Sequence, residues 1–202
     1  MYGKEGRQSL GGGVNGPLRL DATGAMVTGA YGAKYMEAVL RGKVFVAANQ
    51  AAVALTAAFA TAYTGLVVEN PAGSGKNLIM IGFSYASTVA IPTATALGLM
   101  TGADAGDAAA AITPRNRLMG GAASIAIVDN GCTLVGTPVL EQPIATAWTE
   151  ATTAGTLGQP NMVDLNGSLI VTPGYYVAVY SAAANTAAFL FSFMWIEEDQ
   201  ES

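Results

Sequence analysis

Large apolar side chains alternate with small or polar ones most clearly in two stretches. Ile79, Ile81, Phe83 and Tyr85 fall on one face of a strand, with Met80, Gly82 and Ser84 on the other, so the larger face is expected to point into a core. Near the C-terminus Phe189, Phe191, Phe193 and Trp195 alternate with Leu190, Ser192, Met194 and Ile196. Four aromatics in register, each able to bury about 150–250 Å², predict a central strand. Shorter strand signals lie at Val44–Val46, Tyr63–Glu69, Ala123–Val128, Cys132–Val135, Leu169–Val171 and Tyr175–Tyr180. Pro92 makes Val89–Met100 either a bent edge strand or two pieces.

Turn chemistry separates these runs. Asn70-Pro71-Ala72-Gly73-Ser74-Gly75 is a cluster of turn formers, and Asp129-Asn130-Gly131 suits a hairpin between its flanking strands. Thr172-Pro173-Gly174 suits a type II turn between Val171 and Tyr175. The Ala-rich span 47–62 fits a helix on propensity, or strands and loops, and 101–121 reads as a long loop. Short strands, Gly/Pro turns, a long connection and an aromatic last strand predict a mainly β, two-sheet sandwich, most simply a jelly roll. The expected organisation is a flexible Gly-rich arm over 1–16, a docking extension over 17–62 and a β-sandwich core over 63–202.

Composition turns this fold toward assembly. The chain is 51% hydrophobic and only 11% charged, against about 25% charged in ordinary domains. Too few charges remain to clothe a lone domain, whereas a subunit of an obligate oligomer buries such a surface. The uncharged stretch from Val44 to Val68 is long enough to span a bilayer, but Asn49, Gln50, Thr56, Thr61, Tyr63 and Thr64 interrupt it, so no membrane span is expected. Residues 1–16 hold Lys4, Glu5 and Arg7 with no apolar centre and do not read as a secretory signal.

Charge is unevenly placed. The first 117 residues carry nine cations and six acids, 9 − 6 = +3, and the last 85 carry eight acids and no cation, −8, which sums to the net −5. The basic front is expected to meet an acidic neighbour and the acidic tail Glu197-Glu198-Asp199-Gln200-Glu201 to face solvent. No dense Lys/Arg patch interleaved with aromatics points to direct nucleic-acid binding.

Candidate chemistry is sparse. There is no histidine, and the single Cys132 excludes an intramolecular disulfide framework and points to folding in a reducing compartment. With no cation near it in sequence, Cys132 reads as a structural thiol. Gly73-Ser74-Gly75-Lys76-Asn77 resembles a phosphate loop but has Asn70 where the first Gly belongs and Asn77 where Ser or Thr would hold magnesium, so it reads as a turn. Glu141, Glu150 and Asp164 are the carboxylates available for a glycosidase pair, without an aromatic sugar platform near them. Asp104 and Asp107 are too few for calcium. No catalytic residue, cofactor or metal is expected.

Low charge, abundant Ala, Thr and Gly, the Gly-rich arm, Lys76-Asn77-Leu78-Ile79-Met80-Ile81, Pro173-Gly174-Tyr175-Tyr176 and Phe191-Ser192-Phe193-Met194-Trp195-Ile196-Glu197-Glu198 together resemble tailed-bacteriophage virion proteins. Within that group the chain looks most like the small jelly-roll proteins that decorate or cement the capsid exterior, often as trimers. The resemblance spans most of the chain after residue 17 and rests on texture rather than on a signature motif. It implies a homotrimer on the outside of the virion, made in the host cytoplasm, that contacts the major capsid protein and clamps neighbouring subunits through an arm or loop. Its basic N-terminal part would meet the capsid. A tail or head-fibre component on the same fold, or a module that binds a receptor or glycan through the 101–121 loop, is the alternative.

Overall fold

The ends of the strands follow the residues that cannot continue them. Gly42 (φ 69°) ends the helix α1 (Met36–Leu40) and hands the chain to β1 (Val44–Ala48). The computed structural model describes residues 33–57, 59–89, 91, 94–103, 112–135, 137–147 and 161–200. The chain divides into two units, 1–36 and 37–202. Of the first only 33–36 are described, where Met36 N–H donates to the Ala33 carbonyl and the Lys34 ammonium sits over the Tyr35 ring. The arm 1–16 lies outside the described residues, and every described strand belongs to the second unit.

After β1 come β2 (Val53–Leu55), β3 (Ala62–Tyr63), β4 (Val67–Asn70), β5 (Lys76–Ser87), β6 (Thr95–Ala103), β7 (Arg115–Asn116), β8 (Ile127–Asp129), β9 (Cys132–Thr133), β10 (Val139–Ala147), β11 (Asn161–Val171), β12 (Tyr175–Ser181) and β13 (Asn185–Asp199). One sheet runs β11-β5-β13-β1-β7, with β2 also on β13; the other runs β10-β6-β12-β4-β8; β3 and β9 form a small third sheet. All the pairings are antiparallel.

Their order has a simple origin. β6 pairs β10, β5 pairs β11, β4 pairs β12 and β1 pairs β13, four successive steps of one long hairpin. Rolling that ribbon brings β13 against β5 and β12 against β6. The result is the eight-stranded jelly roll expected from the sequence. Between the sheets lie Phe83, Tyr85, Leu97, Leu99, Val177, Val179 and the whole stripe Phe189, Phe191, Phe193 and Trp195. Phe83 stands 5.1 Å from Phe193, and Trp195 stacks on Phe45 at 6.3 Å.

Several expectations are corrected. Ile79 is not on the core face: Leu78 and Met80 point inward, then Phe83 and Tyr85 do. Pairing skips Ile81 between Met194↔Gly82 and Trp195↔Met80, so a bulge there exchanges the two faces of β5. Of the two readings open for 47–62, its described part takes strands and loops, and Asn49 carries the ladder past the end of β1. Its Oδ1 accepts from Phe191 N–H (2.6 Å) and its Nδ2 donates to the Phe189 carbonyl (2.9 Å), after which β2 rejoins β13. β1 and β2, placed by sequence in an extension over 17–62, are therefore part of the core sheet.

β8 and β9 do not form the hairpin expected around Asp129-Asn130-Gly131. Asp129 Oδ1 accepts from both Asn130 and Gly131 N–H, and this turn passes the chain from the edge of the second sheet to the small sheet. Tyr63–Glu69 is likewise two pieces, β3 and β4. Thr172-Pro173-Gly174-Tyr175 has the expected type II form, with Gly174 at φ 83° and Tyr175 N–H bonded to the Thr172 carbonyl, but it links the two sheets rather than neighbouring strands.

Candidate interaction surfaces

The described residues that were weighed for chemistry lie apart, in a turn and on strands of different sheets. Gly73 (φ 77°) and Gly75 (φ 69°) shape the turn from β4 to β5. Asn70, fully buried, organises that turn: its Nδ2 donates to the Lys76 and Val171 carbonyls (2.8 Å each) and its Oδ1 accepts from Ser74 (2.6 Å). Lys76 opens β5 with its Nζ 3.7 Å from Glu197. Glu141 lies on β10, accepting from Thr101 (2.7 Å), and Asp164 on β11 in the other sheet, accepting from Asn166 N–H (2.9 Å). Glu150, Asp104 and Asp107 lie outside the described residues. Among the described residues no group of three or more metal-ligating side chains converges, and no helix is long and apolar enough to cross a membrane.

Cys132 is buried with Tyr63, Val67, Met100, Leu134, Tyr176 and Ala178 in a second, smaller core, formed where the β3–β9 sheet covers the outer face of the second sheet. Burial first, and the Asp129 charge second, push its thiol from 9.0 up to about 11. Burial and the neighbouring thiol push the Tyr176 phenol up to about 12, and burial raises Tyr63 as well. In each case the folded state holds the proton more tightly than the unfolded chain, so the contribution is intact below about pH 9 and is lost as pH rises through the folded values. The urea midpoint is therefore expected to fall between pH 9 and 11, and Cys132→Ser should flatten the start of that fall.

Glu197 corrects the reading of the C-terminus as a solvated acidic tail. It is 2% exposed and continues the inward face of β13 two residues beyond Trp195. Its Oε1 accepts from Ser124 Oγ, from Ile125 N–H (3.1 Å) and weakly from Trp195 Nε1 (3.4 Å), tying the segment before β8 to the first sheet. Glu198 pairs with Lys43, and only Asp199 and Gln200 of the described tail are exposed. The alternation 189-191-193-195-197 carried this signal in the sequence. Glu197→Ala leaves buried donors unpaired and is expected to cost about 1–3 kcal/mol, with Glu197→Gln recovering much of it, read by urea denaturation at pH 7.

The outer face of the first sheet carries an apolar band, bordered by the Ser84–Ser192 pair on one side and Glu198 on the other. Val44, Ile196, Ile79 and Ile170 form one cross-strand row, and Val46 and Met194 lie in the next. The two long edge strands, β10 and β11, are blunted against strand addition, and the other two edges, β7 and β8, are only two and three residues long. β10 contains Pro143 and two register shifts, and β11 carries an insertion at Asn166 (φ 53°) and Gly167 (φ 75°). A scan against family models, a search of curated proteins and a search of solved structures find no match.

Proposed function

We propose that the chain is a structural subunit of a tailed-phage virion, a homotrimer that binds the outside of the capsid and stabilises it through contacts between subunits, with no chemistry of its own. The observation that carries this is a jelly roll with an apolar band on one outer sheet face and two blunted long edge strands, in a chain with 11% charged residues. Such a body favours association by faces and side-chain contacts over strand pairing. The textural resemblance to capsid decoration proteins supplies the virion and the shell as partner.

Light scattering across a dilution series, followed by co-sedimentation with undecorated tailed-phage capsids, tests it. A stable trimer that pellets with capsids and raises their resistance to heating is the expected result. A trimer that ignores capsids points to the tail or head-fibre role, and a monomer that ignores them overturns the proposal.

A further inference from the structure

A rigid apolar turn projects beside β7. Met119 at its tip is 96% exposed and Leu118 is 39% exposed. Asn116 holds the turn from within: its Nδ2 donates to the Gly42 (2.8 Å) and Ala122 (3.0 Å) carbonyls and its Oδ1 accepts from Leu118 N–H (2.9 Å). Gly121 N–H closes it on the Leu118 carbonyl, Gly120 supplies φ 81°, and Arg117 N–H is bonded to the Val44 carbonyl. Holding a large apolar side chain in water on a fixed support contributes nothing to folding, and Met and Arg are enriched where proteins dock. The exposed Arg115 and Arg117 flank it, and neither has an ion-pair partner among the described residues.

This knob cannot serve as its own partner, because apposing two copies across a twofold axis brings cations together. It needs an apolar surface with a carboxylate, and the same chain carries one. At the start of β10, Val139 is 60% exposed and pairs with Thr101, whose hydroxyl donates to the exposed Glu141, so apolar side chain and carboxylate lie together, while Leu140 points to the opposite face of the strand. Pro143 and the two bulges bar that edge from strand pairing, so its apolar residues are available only to side chains. The two surfaces lie on opposite flanks. Ile112 N–H is bonded to the Val128 carbonyl, which joins the segment entering β7 to β8, and β10 is at the far end of the β8 sheet.

We infer that Met119 and Leu118 of one copy dock on Val139 of the next, with Arg115 and Arg117 facing Glu141. Basic knob and acidic rim on opposite flanks make a head-to-tail contact, the kind that closes into a ring. This inference rests on the self-assembling reading above and assigns the faces that do it.

The test is native mass by light scattering over a dilution series for the full chain, Met119→Asp, Arg117→Glu, Glu141→Arg and the double reversal. Met119→Asp is expected to reduce the mass threefold, to that of one chain, with an unchanged β-sheet circular dichroism spectrum. Each single reversal should raise the dissociation constant at least tenfold, and the double reversal should recover most of the loss. If Met119→Asp misfolds, the reversal cycle decides alone. An oligomer indifferent to all the variants overturns the pairing of faces and leaves self-assembly standing; a wild-type monomer overturns both.

Discussion

Trp195→Ala is expected to destabilise the chain by about 3–5 kcal/mol, the range for removing a fully buried large aromatic. Trp195 is 0% exposed, stacks on Phe45, and lies on the one strand that touches β5, β1 and β2. The cavity cannot collapse easily, because Met80 and Phe193 beside it are fixed by strands paired on both sides. Urea denaturation at neutral pH measures the loss. Met194→Ala on the same strand, half-buried on the outer face, is the control and should cost well under half as much in the dissociated chain. Equal costs would mean that the two faces of β13 are equally packed, which the alternating burial of residues 189–197 does not allow.

That strand also shows why much of the fold was legible. A period of two depends only on the pleat, so the stripe from Phe189 to Trp195 declares its face without knowledge of any partner. The two-sheet sandwich followed from the number of short strands and the long connection, but the strand order did not, because it is set by pairings between residues far apart in the chain. What could not be read were events that depend on a neighbour. The bulge at Ile81 exists because β13 skips a residue of β5, and it places Ile79 outside although its local pattern matches that of Phe83. Asn49 replaces a ladder pair through contacts with residues 140 and 142 positions away, so the Ala-rich span around it had no local sign of being sheet.

The surfaces were less legible still. A composition poor in charge announces association but not its location, and the knob at 117–121 depends on Asn116 reaching across to Gly42, 74 positions earlier. The phosphate-loop lookalike shows the converse. Its spacing suggested chemistry only superficially, and Asn70, which breaks the motif, is the residue that builds the turn through three hydrogen bonds.

Gly65→Ala is expected to open the smaller core and expose Cys132. A methyl group at position 65 would stand 2.0 Å from the Tyr63 hydroxyl oxygen and 2.4 Å from its ring carbon, so the ring must leave its place. Tyr63 is 2% exposed and its hydroxyl donates to the Val179 carbonyl, left open because β4 stops pairing with β12 at Ala178. Overpacking costs about 1–3 kcal/mol and a lost buried hydrogen bond about 1–3 more. With Tyr63 displaced, β3 loses its grip on β9, where Tyr63 pairs directly with Cys132. The main core between the sheets contains neither residue, so the jelly roll should survive with its melting temperature lowered while the small sheet detaches. Aromatic-disulfide titration at pH 8 distinguishes this local opening from global unfolding: Cys132 should react at least tenfold faster in Gly65→Ala than in wild type, at a temperature where the β-sheet circular dichroism of the two proteins still agrees. An unchanged rate would show that the Tyr63 ring does not depend on the bare backbone at Gly65.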